Sequence, residues 1–480
     1  MPTDQITAPS IAYLPLMPML VVFGAATVAV LVEAFAPAAH RRLAQVLVAV
    51  LGLAIAFGFV VYLAADGTHR LVAESALAID GPTLFLQGTL CLLGIGSIFL
   101  LAERKLDQSG GEVVSQASNL PGSREDLALA DSTRVQTEVY PLALFALGGM
   151  LLFPACNNLL LMFVALEVLS LPLYLMAGLA RRRRLLSQEA AMKYFPGHSD
   201  ALLFLGIAML AVGLLFKVGA VPFQAWTPDV YQGSPTPVTA LMAACTKVAA
   251  FGALLRVFYV AFGTSRWDWR PMMWAVAILT MVGGAVLAVT QTDVKRMLAY
   301  SSIAHTGFIL VGVIAVNRDG LSGTLFYLLT YGFTTLAAFA VVGLVRDSSG
   351  EATHLSQWAG LAKKSPEVAA VFTFLLLALA GIPLTSGFMA KFVVFRAAQE
   401  GGATALVVVG VVASAVTAFF YARVILLMYF QQPTPDGPTV AIPSAFTTSA
   451  IALGLAVTVA LGVYPQPLLD LADKAALFVR

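Results

Sequence analysis

Charged residues are scarce in this chain of 480 residues. Asp, Glu, Lys and Arg make up 11% of the sequence, hydrophobic residues make up 59%, and the mean hydropathy is +0.87. A soluble domain usually carries about 25% charged residues. So few charges cannot cover a chain of this length with a polar surface, which predicts that lipid covers it. The net charge of +2, without any basic cluster interleaved with aromatics, gives nucleic-acid binding no support.

Cysteine is also scarce, and its spacing argues against several kinds of site. Cys91, Cys156 and Cys245 each lie in an apolar run, none forms a CxxC pair, and none has a His at metal-ligand spacing. The sequence also lacks a P-loop and a GxGxxG motif that follows a strand. We therefore expect no disulfide, and no metal, nucleotide or other cofactor bound by this chain.

Long apolar runs dominate the sequence and predict an all-α polytopic membrane protein. A transmembrane helix needs about 20 mostly apolar residues. The first run lacks a preceding basic segment and is too long for a signal peptide, so we expect it to remain as a helix. Counting one defective run gives about fourteen transmembrane helices. The candidate spans lie at 11–36, 43–65, 79–102, 139–155, 157–179, 187–195, 200–225, 235–262, 271–291, 296–317, 321–346, 367–398, 403–430 and 443–463.

The connections between these spans predict an orientation. The segment from Glu103 to Glu138 is rich in charge and in Ser and Gly, which is typical of a solvated, partly disordered loop. The four arginines Arg181–Arg184 follow a span directly and read as a topology determinant. One set of alternate loops carries fifteen Lys and Arg against six in the other set. The positive-inside rule therefore places both termini outside, on the periplasmic side of a bacterial plasma membrane.

The run from Ser187 to Phe195 is too short for the crossing that this orientation requires. Nine residues of helix span roughly 13 Å, less than half a bilayer. Either this helix is short and re-entrant, or residues are missing between Phe195 and Asp200, the reading we favour.

Ionisable residues inside the spans are the main functional signal, because each costs about 2.5–3.5 kcal/mol on insertion scales. Five of them lie well inside apolar runs: Glu167, Lys217, Lys247, His305 and Lys391.

Each of these residues also has a structural explanation. Lys217 and Lys391 would snorkel if they lay near helix ends, whereas Lys247 is too central for that. Glu167 could simply pair with a lysine, and His305 could be a hydrogen-bonded core histidine.

Three other charged residues lie in or near spans. Glu33 and Arg256 are nearer helix ends and favour the membrane interface. Arg423 lies deep enough to need a partner, which the sequence does not identify.

Two of the predicted spans are each interrupted by a glycine and a proline near a lysine. Lys217 is followed by Gly219 and Pro222, and the later span carries Gly381 and Pro383 before Lys391. Interrupted helices at corresponding positions of two halves indicate an ion path in inverted-repeat transporters. A break frees backbone carbonyls that a cation or a water chain can use.

Three long motifs resemble the proton-conducting membrane subunits of respiratory complex I. They read FKVGAVPFQAWTPDVYQGSPTPV at 216–238, DVKRMLAYSSIAHTG at 293–307 and GIPLTSGFMAKF at 381–392. The third resembles subunit N more closely than its siblings M and L. The resemblance covers nearly the whole chain.

That resemblance implies a division of the chain into four parts. Residues 1–138 would hold three N-terminal helices and the charged loop. Residues 139–262 and 271–430 would form two inverted five-helix repeats, each with one broken helix, with hinges at Gly219, Pro222, Gly381 and Pro383. Residues 431–480 would hold the last helix and a tail.

The resemblance also implies a proton relay. Glu167 and Lys217 would be the coupled pair of the first half-channel, Lys247 the central relay, and Lys391 the terminal lysine, with His305 bridging the last two. Burial lowers the pKa of a lysine and a nearby carboxylate raises it, so lysine suits such a relay, whereas arginine stays charged.

Three functions are consistent with these features. The first is a proton-translocating subunit of an NADH–quinone oxidoreductase, with NAD, FMN, iron–sulfur clusters and quinone carried by partner subunits. The second is a subunit of a multisubunit sodium/proton antiporter, and the third is an inert membrane scaffold. The complete set of Glu167, Lys217, Lys247 and Lys391 argues against a scaffold. A quinone site in this chain has no support.

Overall fold

The computed structural model describes residues 12–103, 137–178, 202–262, 266–347, 350–433 and 437–479. About 80% of the structure is helical. Ten helices within these ranges are long and apolar enough to cross a membrane. A helix satisfies its backbone hydrogen bonds internally, which is why apolar runs of this length form helices in lipid. The prediction of a multi-pass helical membrane protein is confirmed; the count of fourteen spans is not established.

The helices follow the predicted spans closely. In chain order they are α1 (Met17–Phe35), α2 (Ala38–Ala65), α3 (Gly81–Leu101), α4 (Val139–Leu152), α5 (Leu159–Gly178), α6 (Leu202–Val218), α7 (Trp226–Gly233), α8 (Thr236–Ala261), α9 (Arg266–Val289), α10 (Val294–Ala315), α11 (Arg318–Val342), α12 (Leu361–Lys364), α13 (Pro366–Ala380), α14 (Ser386–Glu400), α15 (Thr404–Phe430), α16 (Ala445–Val463) and α17 (Gln466–Ala475).

Several predicted features lie outside the described residues. They are positions 104–136 of the charged loop, the arginine run Arg181–Arg184, the short apolar run 187–195 and the junction between Phe195 and Asp200.

Two small antiparallel sheets correct the expectation of a purely helical chain. Strand β1 (Arg70–Val72) pairs with β2 (Leu77–Ile79) between α2 and α3. Strand β3 (Val345–Asp347) lies between β4 (Gly350–Glu351) and β5 (Thr439–Val440). These strands occupy connections between the long helices, where the backbone has no helical partners and pairs with another strand instead.

The helices α8, α10 and α11 form the buried centre of the protein. Nearly every residue in the apolar part of these three helices is buried, whereas fewer than half are buried in α1, α2, α15 and α16. The exposed side chains of these outer helices are large and apolar, for example Leu31 and Val411. Polar residues that the sequence places on α8 and α10 are therefore held away from lipid by a shell of apolar helices.

Glycine allows the central helices to approach closely. An added Cβ at Gly284 of α9 would lie 2.5 Å from the backbone nitrogen of Ala304 on α10. Small residues at such contacts are typical of membrane helix packing, where lipid is as apolar as the side chains.

We expect Gly284→Ala to reduce stability by about 1–3 kcal/mol, because the backbone of α10 cannot move aside cheaply. Thermal denaturation of the solubilised protein measures the loss. The matched control is Gly58→Ala on α2, where an added Cβ meets nothing within 4 Å. Equal thermal stabilities in the two variants would contradict the packing argument.

Candidate functional site

The candidate site is a line of buried polar groups in the centre of the helical bundle. Lys217, Lys247, Lys391 and His305 are all at most 8% exposed, and Glu167 is half-buried. Both Lys217 and Lys391 are thus enclosed by other residues of the chain. The alternative explanation, that their side chains snorkel to the membrane surface, is therefore wrong. A buried ammonium group needs hydrogen-bond acceptors, and the structure supplies them differently for each lysine.

Lys217 lies in the last turn of α6 and contacts α5. Its Nζ donates to the Ser170 hydroxyl at 2.7 Å and lies 5.7 Å from the centre of the Tyr174 ring. Glu167 precedes Ser170 by one turn of the same helix and acts on Lys217 electrostatically. In the described part of the chain no ion pair joins Glu167 to Lys217. The two groups are close but not in direct contact, with Ser170 as the immediate partner of the lysine.

A helix break adjoins Lys217. Helix α6 ends at Val218, Gly219 has a left-handed backbone with φ +75°, and α7 begins only at Trp226. The carbonyl of Val218, released by this break, accepts a hydrogen bond of 2.9 Å from the Thr306 hydroxyl.

Lys247 lies in the middle of α8, directly after a π-helical segment, Met242–Thr246. Its Nζ donates to the Ser302 carbonyl at 2.6 Å, the Ser302 hydroxyl at 2.7 Å and the Thr306 hydroxyl at 2.6 Å. Since an ammonium group has three donors, Lys247 is fully satisfied by α10. Thr306 thus links the central lysine to the released Val218 carbonyl beside Lys217.

His305 lies on α10 near the central lysine, Lys247, and the terminal lysine, Lys391. Its Nδ1 is hydrogen-bonded to the Tyr327 hydroxyl at 2.8 Å. Its Nε2 is buried without a hydrogen-bond partner among the described residues. The ring is close enough to Lys391 and Lys247 to interact electrostatically with both. His305 therefore lies close to both lysines without a direct hydrogen bond to either among the described residues.

Lys391 lies beside the second helix break and donates to carbonyls at its edge. Helix α13 ends at Ala380, Gly381 is left-handed with φ +85°, and α14 begins at Ser386. The Lys391 Nζ donates to the Ala380 carbonyl at 2.8 Å, the Leu379 carbonyl at 3.3 Å and the Ser414 hydroxyl at 2.8 Å. The first two carbonyls end α13 and have no helical donor beyond the break.

Aromatic rings connect these ionisable groups. The Tyr331 ring lies 5.3 Å from the Lys247 Nζ and 5.0 Å from the His305 ring. The Phe308 ring lies 5.7 Å from the His305 ring and 4.7 Å from the Lys391 Nζ. The groups from Lys247 to Lys391 thus form one continuous buried assembly.

Arg256 is the clearest error of the sequence analysis, which assigned it to the membrane interface. It is 2% exposed and donates to Asp80 at 2.7 Å, to the Thr83 hydroxyl at 2.7 Å and to the Pro154 carbonyl at 2.8 Å. Asp80 also accepts from the backbone nitrogen of Val479. The acid that compensates the arginine comes from the start of α3, so span counting could not reveal it.

Other charged residues also find partners. Arg423 donates to the Val289 carbonyl at the end of α9, at 2.8 Å, which supplies the partner that the sequence could not name. Glu33 pairs with Arg41 at 3.1 Å. Lys295, which the orientation count treated as a loop residue, is buried and pairs with Glu351 at 3.1 Å.

Comparisons with known proteins agree on one family. The family described as "NADH:quinone oxidoreductase/Mrp antiporter, TM" matches residues 156–210 and 196–417. A protein of Parafrankia sp. (strain EAN1pec) called NADH-quinone oxidoreductase subunit N is 59% identical, with 99% of this chain and 98% of the relative covered. The protein of the same name from Rhodococcus opacus (strain B4) is 57% identical, with the same coverage.

Solved structures share the architecture. A chain of respiratory complex I from Thermus thermophilus has a TM-score of 0.76 at 29% identity, with 95% of this chain and 100% of that chain covered. A chain of the Mrp complex from Dietzia sp. DQ12-45-1b has a TM-score of 0.79 at 22% identity, with 97% and 96% covered, which shows the fold alone.

The family match is in two parts, and the parts overlap at 196–210. This is where the sequence departs from the expected pattern of spans. The alignment with the Parafrankia relative is 514 residues long, longer than this chain of 480 residues. The relative therefore carries residues that this chain lacks.

We expect Gly381→Ala to impair proton transport, the activity that the sequence motifs imply. Its Cβ would lie 3.0–3.4 Å from Cδ, Nζ and Cε of Lys391 and would displace the side chain. Gly402→Ala is the control, since Gly402 is also left-handed at φ +76° but has nothing within 4 Å of an added Cβ. Both variants should lose stability by about 1–2 kcal/mol, and only the first should lose transport. Equal transport losses would show that backbone strain alone is responsible.

Proposed function

Because the chain belongs to the family of NADH-quinone oxidoreductase subunit N proteins, we propose that it translocates protons in the membrane part of that enzyme. Electron transfer from NADH to quinone takes place in partner subunits, and this chain supplies a proton path. The enzyme as a whole is a proton-translocating oxidoreductase, and this chain carries none of its redox chemistry.

One observation carries the proposal: three buried lysines and a histidine share a continuous polar region inside an apolar shell. Lys217 and Lys247 donate to hydroxyls, and Lys391 donates to carbonyls freed by a helix break and to a hydroxyl. Such groups solvate an ammonium well and also accept a hydrogen bond from water when the amine is neutral. Burial penalises the ammonium form and these acceptors stabilise it, so two opposing effects act on the protonation of each lysine.

The proton relay runs in the order Glu167, Lys217, Lys247, His305, Lys391. Movement of Glu167 toward or away from Lys217 loads or releases the first proton, which Ser170 can mediate because it already contacts the lysine. Thr306 connects the region of Lys217 to Lys247. His305 then carries the proton toward Lys391, with its free Nε2 as the acceptor.

The same proposal includes the larger arrangement. Two inverted five-helix repeats, at 139–262 and 271–430, each contain one broken helix, with hinges at Gly219 and Pro222 and at Gly381 and Pro383. Three helices precede the repeats in 1–138, one helix and a tail follow in 431–480, and the intact membrane subunit has about fourteen spans. Both termini lie on the periplasmic side of the bacterial plasma membrane.

The partners are the other subunits of the complex, above all the sibling antiporter-like subunits beside it in the membrane. NAD, FMN, iron–sulfur clusters and quinone belong to partner subunits.

A role in a sodium/proton antiporter is the weaker alternative, because relatives at 51–59% identity bear the name NADH-quinone oxidoreductase subunit N, whereas the Mrp likeness is one of fold. Co-purification of NADH-oxidising and iron–sulfur subunits tests this choice, and their absence would favour the antiporter.

We expect Lys247→Ala and Glu167→Gln to lower the number of protons pumped per NADH oxidised, with assembly of the complex intact. Lys247→Arg should have the same effect, because an arginine keeps its charge but cannot release its proton. Proton uptake and NADH oxidation are measured together in vesicles that contain the complex.

Two exposed residues provide controls. Lys474 on α17 and Glu367 at the start of α13 are exposed at the surface and are not among the relay residues. Lys474→Ala and Glu367→Gln should pump normally. Normal pumping in Lys247→Ala and Lys247→Arg would rule out the relay.

A further inference from the structure

Lys295 and Glu351 form a second buried lysine–carboxylate pair, separate from the relay described above. The Lys295 Nζ lies 3.1 Å from Glu351 Oε2 and 2.7 Å from the Ser234 carbonyl. The lysine side chain is 1% exposed and that of Glu351 is 12% exposed. Solvent therefore reaches the pair at the Glu351 carboxylate, whereas the Lys295 side chain is fully enclosed.

Lys295 lies on the same face of α10 as the partners of the central lysine. Ser302 follows Lys295 by seven positions, a distance of two turns or about 10 Å along the helix. Ser302 accepts two hydrogen bonds from Lys247 through its carbonyl and its hydroxyl. One stripe of α10 thus leads from the buried ion pair to Lys247.

Hydroxyl groups occupy the space along this stripe. Tyr231, at the end of α7, interacts with the Ser302 side chain. Ser234, three residues later, accepts from Lys295 through its carbonyl. The hydroxyls of Ser234 and Thr236 are buried without a hydrogen-bond partner among the described residues. Buried hydroxyls of this kind usually bind ordered water, and a row of hydroxyls and water conducts protons.

We propose that Lys295 and Glu351 form a second proton entry, which delivers protons to Lys247 along Ser234, Tyr231 and Ser302. The inference rests on the proposed function, since it assumes that Lys247 is a proton carrier. It adds an entry at the face formed by β3, β4 and β5, which is distinct from the route through Glu167 and Lys217.

The proton balance of this entry is simple. A proton from water binds the Glu351 carboxylate, which weakens its hold on the Lys295 ammonium. Lys295 passes its own proton along the hydroxyls and water to the neutral amine of Lys247, and then takes the proton of Glu351. One proton has entered and one has arrived, and the pair has returned to ammonium and carboxylate.

The neighbouring ion pair between Arg296 and Asp229 differs from the Lys295–Glu351 pair in exposure and in chemistry. Arg296 contacts Asp229 at 2.7 Å, but both side chains are about a third exposed, at 31% and 34%. An arginine does not release its proton, and this pair has solvent beside it. It ties α10 to α7, whereas Lys295 and Glu351 combine a titratable cation with near-complete burial.

The test compares single and double variants in the assembled complex. Glu351→Gln and Lys295→Met should each lower the number of protons pumped per NADH oxidised below the wild-type ratio, as expected for loss of a positioned proton-transfer group. The double variant Glu351→Leu with Lys295→Met removes the pair altogether. Replacing a buried pair by apolar residues is often neutral for stability, so this variant should assemble even if a single variant does not.

The double variant separates a proton entry from a structural tie. A low proton ratio in an assembled double variant supports the entry, whereas a return to the wild-type ratio would overturn it and leave the pair a structural tie. Asp229→Asn is the control for the neighbouring pair and should pump normally.

Lys247→Ala, measured in parallel, distinguishes the two proposals. Wild-type ratios in the Lys295 and Glu351 variants beside a low ratio in Lys247→Ala would overturn the second entry and leave the relay intact. A wild-type ratio in Lys247→Ala would overturn the relay itself, and the second entry with it.

Discussion

The arrangement of this protein depends on how ammonium groups are solvated where no bulk water reaches them. Lys391 is held by carbonyls at the end of α13, which the break at Gly381 leaves without helical donors. Lys247 is held by α10, through Ser302 and Thr306. Among the described residues, Lys217 is held by one hydrogen bond, to the Ser170 hydroxyl of α5. Glu167, one turn before that serine, supplies a nearby negative charge to the lysine with this one hydroxyl partner.

The sequence predicted the features that depend on short stretches of chain. Apolar runs gave the spans, and Gly219 and Gly381 marked positions where the backbone turns left-handed and a helix ends. The sequence did not predict contacts between distant segments. Asp80 meets Arg256 across 176 residues, and Glu351 meets Lys295 across 56 residues. A charge near a span end looks the same in sequence whether it meets water or a buried partner.

This ambiguity also affects the orientation. The positive-inside rule counts exposed cations near span ends, yet Lys295 is fully buried and Arg346 is 8% exposed. Neither of them acts as a free loop charge in the folded protein. The excess on that side is large enough that the predicted orientation does not depend on these two residues.

The π-helical segments of α8 have a consequence for how this helix can change over evolution. Each segment holds one residue more than an α-helix would need for the same number of turns. Removing one residue from Met242–Thr246 can convert it to ordinary α-helix and leave the flanking side chains in register. The same deletion elsewhere in the helix would rotate every later side chain by about 100°. Helix α8 thus tolerates length changes at a defined position beside Lys247, and the lysine would keep its direction through them.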